Sequence, residues 1–186
     1  MPALYHHESS VLIIDMQTRL LPAIAGHQEL VGCVERFAQA ARLLDVPVLA
    51  TEHCADKIGP TTDALTPHID EVFQKTHFDA TQEAGLTHFM RQGRHRVLLA
   101  GVESHICVLQ TGLGLKRMGF EPVLVTDGVG SRQPSDREAA LARWAHHGLE
   151  AVSSEMALFE WMGTPAHPCF REVLALLKGA PEQSSQ

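Results

Sequence analysis

The chain has 186 residues, 45% of them hydrophobic, and its mean hydropathy is −0.04. This length suits one large domain with a substantial core and is short for two. The formal net charge of −7, without a cluster of Lys or Arg, argues against a surface that follows nucleic-acid phosphates. The sequence contains neither a signal-peptide pattern nor an apolar stretch near the roughly 18 residues of a membrane span. We therefore expect a cytoplasmic protein without nucleic-acid or membrane partners.

Six short apolar segments, rich in β-branched residues, alternate with longer amphipathic segments. Buried parallel strands joined by crossover helices have this pattern. The predicted strands cover residues 11–15, 48–51, 72–75, 97–102, 123–127 and 150–152. Their alternation with helices predicts an α/β fold, a three-layer α/β/α sandwich with a six-stranded parallel sheet. We expect one domain over residues 1–178 and a frayed tail over residues 179–186.

Four helices are predicted from apolar residues that recur with a helical period or from capping signals. They cover residues 30–44, 106–118, 135–147 and 168–177. Ser135 is the expected N-cap of the third helix, which Gly148 should stop. The fourth helix is expected to dock on the sheet.

The four cysteines, Cys33, Cys54, Cys107 and Cys169, lie far apart in the sequence. They form no C-x-x-C pair and lack the density of a disulfide-stapled secreted domain. We therefore expect free thiols, and a free thiol is available for catalysis.

Three reactive side chains fall at predicted strand ends or just beyond them: Asp15, Lys75 and Cys107. Ligands of doubly wound sheets bind outside the carboxyl ends of the strands, so these side chains should converge. Cys107 lies in the predicted first turn of a helix, where unpaired backbone N–H groups favour a thiolate. Asp15 would take the thiol proton and return it to a leaving group, while Lys75 would steady both charges. Acyl transfer through a thioester is the reaction that suits these groups.

The segments around these residues resemble the three signature segments of the isochorismatase-like cysteine hydrolases. They read IDMQ at 14–17, KTHF at 75–78 and GVESHICV at 101–108. Their order and spacing also agree with that family. The similarity extends over nearly the whole chain and includes TDGVGSR at 126–132. Together these segments are specific, although each is weak alone.

The resemblance implies the isochorismatase-like fold and a catalytic triad of Asp15, Lys75 and Cys107. It also implies a cis peptide between Val102 and Glu103, which would turn the Glu103 N–H inward beside that of Cys107. These two N–H groups would form the oxyanion hole. No cofactor is implied, and related proteins form closed assemblies of identical subunits, so we expect a dimer or a tetramer.

Five further residues are expected to contact a small-molecule substrate. His53 and His105 should border the pocket, and Phe78 and Ile106 could supply its apolar wall. These residues, with Gln17 in the first signature segment, are the predicted substrate-binding set.

The segment Thr51-Glu52-His53 looks closer to the isochorismatase-domain-containing proteins than to nicotinamidases. Nicotinamidases place an aspartate and a histidine two residues apart to hold a metal, and Thr51 stands at the aspartate position here. We therefore expect no metal, although Glu52, His53 and His68 could still build a site. The other histidines, among twelve in the chain, lack ligand spacing, so they do not favour a metal enzyme or a ribonuclease.

The predicted function is hydrolysis of a C–N bond in a small amide or imide through a thioester. Isochorismate-type vinyl ether cleavage is the alternative, but it does not require the cysteine. A catalytically silent binding or scaffold member of the same fold is the other alternative. Cys54, just beyond the second strand, is the rival nucleophile, without a matching set of partners. A nucleotide-dependent oxidoreductase is excluded because no G-x-G-x-x-G follows the first strand.

Overall fold

Six strands form one sheet in the computed structural model, which describes residues 4–90 and 94–179. The strands are β1 (Ser9–Ile14), β2 (Val48–His53), β3 (Glu71–Lys75), β4 (Arg96–Val102), β5 (Glu121–Gly130) and β6 (Glu150–Val152). Their order is β3-β2-β1-β4-β5-β6, and all neighbours are parallel. The predicted six-stranded parallel sheet is therefore confirmed, with β5 extending three residues beyond its predicted end.

Seven α-helices connect or flank the strands in the described part of the chain. They are α1 (His27–Leu43), α2 (Ala55–Ile58), α3 (Ala84–Met90), α4 (Leu109–Arg117), α5 (Pro134–His146), α6 (Ser154–Met162) and α7 (Phe170–Leu177). Four of them, α1, α4, α5 and α7, correspond to predicted helices with shifted bounds. The predicted tail of residues 179–186 lies outside the described residues, apart from Gly179. Within those residues, we find no helix with the length and apolar character of a membrane span.

All four predicted helix starts are shifted, and two of the shifts have a local cause. Ser135 is not an N-cap, because Gln133 occupies that position and Pro134 opens α5, where a missing N–H costs nothing. The helix predicted from residue 106 begins instead with a π-helical turn, Ser104–Val108, which runs into α4. The predicted stop at Gly148 is confirmed by its left-handed conformation, with φ +65°.

Helices cover both faces of the sheet, which makes the fold a three-layer sandwich. Alternate residues of a strand point to opposite faces, so Val11 and Ile13 of β1 pack in the layer of α1 and α6. Leu12 and Ile14 pack in the layer of α4 and α5. Because both of their faces are buried, β1 and β4 contain continuous apolar runs. The last helix, α7, packs against α1 and α6.

The end of β1 lies against β4 at a very short distance. Gly101 of β4 has φ +111°, and a Cβ atom there would lie 2.1 Å from the Ile14 carbonyl oxygen. Only glycine allows this approach, because it has no Cβ and tolerates a positive φ. The chain leaves β1 at the next residue, Asp15, so this contact fixes where that carboxylate begins.

Candidate active site

Asp15, Lys75 and Cys107 meet at the carboxyl ends of β1, β3 and β4. Lys75 Nζ lies 2.7 Å from Asp15 Oδ2 and 3.5 Å from Cys107 Sγ. It also donates a hydrogen bond to the His77 carbonyl oxygen at 3.2 Å. All three side chains are buried. The structure thus brings together the three residues that the sequence singled out for chemistry.

Each of these residues is held by a different element. Asp15 follows β1 in a left-handed conformation, with φ +50°, and its N–H donates to the Thr51 carbonyl oxygen at 3.1 Å. Lys75 is the last residue of β3, the strand at one edge of the sheet. Cys107 is the fourth residue of the π-helical turn before α4. Three crossover units therefore contribute to one site, as the doubly wound topology requires.

The two oxygens of the Asp15 carboxylate have different surroundings. Oδ1 accepts a hydrogen bond from Thr51 Oγ1 at 2.7 Å. Oδ2 lies 2.7 Å from Lys75 Nζ, yet it has no hydrogen-bond partner of acceptable geometry among the described residues. At such a short distance the contact with Lys75 is an ion pair, even though it is not aligned as a hydrogen bond. Oδ2 therefore keeps a lone pair that can receive a proton.

The Cys107 thiol is neutral in the resting site. Its side chain belongs to a residue only 8% exposed, and burial followed by the charge of Asp15 raises the pKa of Cys107 to about 12. The positive charge of Lys75 lowers the pKa of Cys107, but by less than burial and Asp15 raise it. The expected thiolate at a helix N-terminus is therefore wrong for this state, because burial and Asp15 outweigh the nearby cation.

The turn that carries Cys107 is tied to the loop after β5. The peptide between Val102 and Glu103 is cis. Glu103 Oε2 accepts from Arg132 N at 3.1 Å and from Arg132 Nε at 3.0 Å. Ser104 Oγ donates to the Gly130 carbonyl oxygen at 2.8 Å. These bonds hold the backbone whose N–H groups, at Glu103 and Cys107, are the predicted oxyanion hole.

The side-chain amide of Gln17 forms hydrogen bonds with the backbone of His53 and Gly59. Its Oε1 accepts from His53 N at 2.8 Å, and its Nε2 donates to the carbonyl oxygens of Gly59 at 2.6 Å and His53 at 3.2 Å. The side chain is fully buried. These contacts favour a positioning role for Gln17 at the end of β2 over the predicted contact with substrate.

His53 and Phe78 form an aromatic pair beside Lys75. Their ring centroids are 5.4 Å apart, and Phe78 is 51% exposed. Burial, followed by the positive charge of Lys75, lowers the pKa of His53, so its imidazole is neutral at pH 7. His53 Nδ1 is buried and has no hydrogen-bond partner among the described residues. The predicted contacts of both side chains with substrate remain predictions.

The side chains of His105 and Ile106 contact the loop after β5, α5 and the apolar layer of α4 and α5. His105 Nδ1 lies 3.0 Å from Ser131 Oγ, and Nε2 lies 3.7 Å from Asp136 Oδ2. Both ring nitrogens thus face the loop after β5 and the first turn of α5. Ile106 is half-buried and packs against the apolar layer of α4 and α5. Their predicted contacts with substrate remain predictions.

The remaining sequence candidates have structural contacts of their own. The Glu52 carboxylate accepts from Thr61 N, Thr61 Oγ1 and Gln74 Nε2. Over residues 4–90 and 94–179, no three His, Cys, Asp or Glu side chains are grouped as metal ligands. Cys54, the rival nucleophile, caps α2 and donates its N–H to the Lys75 carbonyl oxygen at 3.0 Å. Cys107 is the thiol that lies beside the Asp15–Lys75 ion pair.

Two residues outside the predicted set also stabilise the site. Thr51 binds the Asp15 carboxylate, and Arg132 binds that of Glu103. A signal for Thr51 existed, because it precedes His53 by two residues on one strand and so shares its face of the sheet. Arg132 is the last residue of the TDGVGSR segment at 126–132, so the resemblance to the family already marked its position, although not its contact with Glu103.

Comparisons with known proteins place these features in context. The Isochorismatase domain model matches residues 9–156. Isochorismatase domain-containing protein 1 of Salmo salar is 35% identical over 174 residues, 91% of this chain and 61% of that protein. The chain therefore spans about three fifths of that relative. Isochorismatase domain-containing protein 2A of Mus musculus is 34% identical over 172 residues, 92% of this chain and 84% of that protein.

A solved structure shares the whole fold. The protein described as MAR1 ribonuclease from Caenorhabditis elegans matches with a TM-score of 0.90 and 28% sequence identity. The match covers 100% of this chain and 97% of that one.

Proposed function

Since the chain belongs to the isochorismatase family, we propose that it is a cysteine-dependent hydrolase of small amides or imides. It cleaves a C–N bond through a thioester on Cys107. The observation that carries this proposal is the buried contact of Lys75 Nζ with both Asp15 Oδ2 and Cys107 Sγ. A nucleophile, a base and a cation within one water-poor site are the groups that acyl transfer needs.

The high pKa of Cys107 makes Asp15 necessary as a base. With a pKa of about 12, the thiol is almost entirely protonated at pH 7. Nucleophilic attack is therefore coupled to proton transfer, in which the thiol proton moves to Asp15 Oδ2 while Sγ bonds to the substrate carbonyl carbon. The negative charge moves from the Asp15 carboxylate to the reacting atoms, and the Lys75 ammonium group stays close to it.

The remaining steps use the same groups. The carbonyl oxygen becomes an oxyanion, which the N–H groups of Glu103 and Cys107 would bind. The C–N bond then breaks, its electron pair stays on nitrogen, and Asp15 returns the proton to that nitrogen. Water next attacks the thioester, loses a proton to Asp15 and expels Cys107, which recovers that proton as a thiol.

Two other activities are alternatives to amide hydrolysis, and the same experiment tests them. Isochorismate-type cleavage of a vinyl ether is the alternative within the family, and it leaves the cysteine without a covalent role. Ribonuclease activity is a candidate because the Caenorhabditis elegans neighbour is described as a ribonuclease. The net charge of −7 argues against RNA as the substrate.

The test compares the wild type with Cys107→Ala, Asp15→Asn and Lys75→Met on small amides, imides, vinyl ethers and RNA. We expect turnover of amides or imides that falls at least about 10³-fold in Cys107→Ala, together with an acyl adduct on Cys107 trapped in the wild type. Cys54→Ala is the matched control and should keep its activity.

The other outcomes identify the alternatives. Vinyl ether turnover that survives Cys107→Ala would support the second chemistry. RNA cleavage without amide turnover would support a ribonuclease. A wild type that turns over none of these substrates would leave the binding or scaffold role.

A further inference from the structure

The loop after β3 (residues 76–83) supplies one contact of the Lys75 ammonium group. Besides Asp15 Oδ2 and Cys107 Sγ, Lys75 Nζ reaches the carbonyl oxygen of His77 at 3.2 Å. The place of the cation beside the thiol therefore depends on where this loop holds the His77 carbonyl, and so on what holds the loop.

The sheet by itself does not bring Lys75 to Cys107. In the described sheet β3 is an edge strand, and β2 and β1 separate it from β4, the strand that leads to Cys107. Neighbouring strands lie about 4.8 Å apart, so three such steps span about 14 Å. The two side chains therefore meet because the loop after β3 returns toward the turn that precedes α4.

The buried Thr111 of α4 holds this loop by two hydrogen bonds. Thr111 Oγ1 accepts from Ala80 N at 3.0 Å and donates to the Phe78 carbonyl oxygen at 3.4 Å. Thr111 and Ala80 are both fully buried. The Phe78 carbonyl is the next one along the chain after that of His77, so the Thr111 hydroxyl fixes the peptide beside the carbonyl that contacts Lys75.

The rest of this contact follows the same side of α4. Thr111, Gly114 and Arg117 are three residues apart and so lie on one side of the helix. A Cβ atom at Gly114 would lie 2.4 Å from both Asp79 Oδ1 and Thr81 Oγ1, so the loop rests directly on the helix backbone. Arg117 Nη2 donates to Asp79 Oδ2 at 2.8 Å. The helix that holds the loop is also the one that the thiol-bearing turn runs into.

Glu83 shapes the loop without fixing it to α4. Its Oε1 accepts from Thr76 N at 3.0 Å and from His77 N at 3.4 Å. Because Glu83 belongs to the loop itself, these bonds set the internal shape of the loop. Its position on the rest of the molecule is left to the contacts with α4.

We propose that Thr111 is a positioning residue that holds Lys75 beside Cys107 by fixing the loop after β3 to α4. The effect of Thr111 on turnover rests on the proposed function, whereas its effect on the thiol does not. Without the hydroxyl, the buried N–H of Ala80 loses its partner, and the loop moves off α4 to regain one. The His77 carbonyl moves with the loop and no longer holds the ammonium group at the thiol.

The test measures how fast iodoacetamide labels Cys107 at pH 8 in the wild type, Thr111→Val and Thr111→Ser. Valine keeps the shape of threonine without its hydroxyl, whereas serine keeps the hydroxyl. The Lys75 charge lowers the pKa of Cys107, so its withdrawal should slow the labelling. We expect Thr111→Val to slow it at least about threefold, the change that a rise of about half a pKa unit produces. Thr111→Ser should be labelled nearly as fast as the wild type.

A double-mutant comparison separates positioning from a general loosening of the fold. If Thr111 acts through Lys75, Thr111→Val should leave the labelling rate unchanged in a Lys75→Met background, because the charge that Thr111 positions is absent there. Loosening alone would instead expose the thiol and speed its labelling in both backgrounds. An unchanged or faster rate in Thr111→Val, or an equal slowing with and without Lys75, would overturn the inference.

Thr126→Val is the matched control. Thr126 Oγ1 donates to the Val152 carbonyl oxygen at 3.2 Å, where β5 meets β6 at the edge of the sheet opposite β3. This variant also loses a bond from a threonine hydroxyl to the backbone, but Cys107 should keep its wild-type labelling rate.

If Thr111→Val does not fold, Arg117→Met takes its place in the test. The Arg117 side chain is 64% exposed, and its removal loosens the same contact at Asp79. Labelling of Cys107 should again be slower than in the wild type, and a wild-type rate in this variant would overturn the inference.

Turnover distinguishes this inference from the proposed function. On the best amide, kcat should fall in Thr111→Val and recover in Thr111→Ser, together with the labelling rate. Slow labelling of Thr111→Val, with a wild type that turns over no amide, would remove the proposed function and leave the inference. Unchanged labelling, with an active wild type, would overturn the inference and leave the proposed function.

Discussion

The Asp15 carboxylate raises the pKa of the same thiol that it is proposed to deprotonate. In Asp15→Asn this negative charge is gone, so the pKa of Cys107 should fall toward its ordinary value. We therefore expect iodoacetamide to label Cys107 faster at pH 8 in Asp15→Asn than in the wild type, although hydrolysis is lost. Peptide mapping after a short pulse measures this, with Cys54 as the internal reference.

Lys75→Met provides the opposite test. Lys75 lowers the pKa of Cys107, so its removal should raise that pKa further and slow the labelling of Cys107. If both variants change the labelling rate in the same direction, the electrostatic account of the site is wrong.

Thr51 fixes one oxygen of the Asp15 carboxylate. Its hydroxyl donates to Asp15 Oδ1 at 2.7 Å, and both residues are buried. Thr51→Val keeps the shape of the side chain and removes this donor, so the carboxylate loses a bond worth roughly 1.5–3 kcal/mol. We expect kcat to fall about 10- to 100-fold, with KM little changed.

Thr51→Ser retains a hydroxyl and should keep most of the activity. Steady-state kinetics of the three proteins on the best amide measure the effect. Equal rates for Thr51→Val and the wild type would show that Asp15 needs no such support.

At the level of the elements, the contact between β4 and β1 is the most sensitive to a small change. Gly101→Ala would place a Cβ atom 2.1 Å from the Ile14 carbonyl oxygen. Gly119 also has a positive φ, +88°, but nothing lies within 4 Å of a Cβ there. Gly119→Ala therefore reports the conformational cost alone, about 1–2 kcal/mol.

We expect Gly101→Ala to lower the free energy of unfolding by at least about 2 kcal/mol more than Gly119→Ala does. Chemical denaturation of the two variants measures this difference. Similar losses of stability would mean that β1 and β4 separate easily, and Asp15 would then be less firmly placed than the structure indicates.

The strands β1 and β4 could be predicted because burial on both faces leaves them with apolar runs that stand out from the polar loops. The helices α2, α3 and α6 could not. α6 is apolar around much of its surface and so lacks a clear helical period, although Ser153 caps it by accepting from Met156 N. The side-chain chemistry of Ser135 predicts it as the cap of α5, but Pro134 opens the helix and the N-cap is Gln133.

The positions of Asp15, Lys75 and Cys107 could be predicted because they depend on strand ends, which local sequence marks. Their electrostatics could not, since the pKa of Cys107 depends on burial and on distances between separate elements. The bond from Thr51 likewise depends on the register that pairs it with Ile14. Such relations arise only when the sheet is assembled.

For the whole molecule, we expect an assembly of identical subunits, a dimer or a tetramer. Large apolar side chains of the single chain, such as Val72, Met156 and Phe159, are 37–51% exposed. Covering apolar surface between copies is favourable because water is released from it. Sedimentation equilibrium should give two or four times the chain mass of 20.4 kDa. A mass of 20.4 kDa at micromolar concentration would contradict this expectation.

The cation of the site is carried by the outermost strand. Lys75 ends β3, whose strand neighbour in the described sheet is β2, and Glu71, Val72 and Gln74 are exposed. Edge elements with few buried contacts open locally at a lower free energy than the core. Each such opening would withdraw the ammonium group and leave Asp15 as an uncompensated charge in an otherwise intact molecule. Under the proposed function, the active form would then be a subpopulation of the folded protein, and mild denaturant would abolish activity before the sheet itself melts.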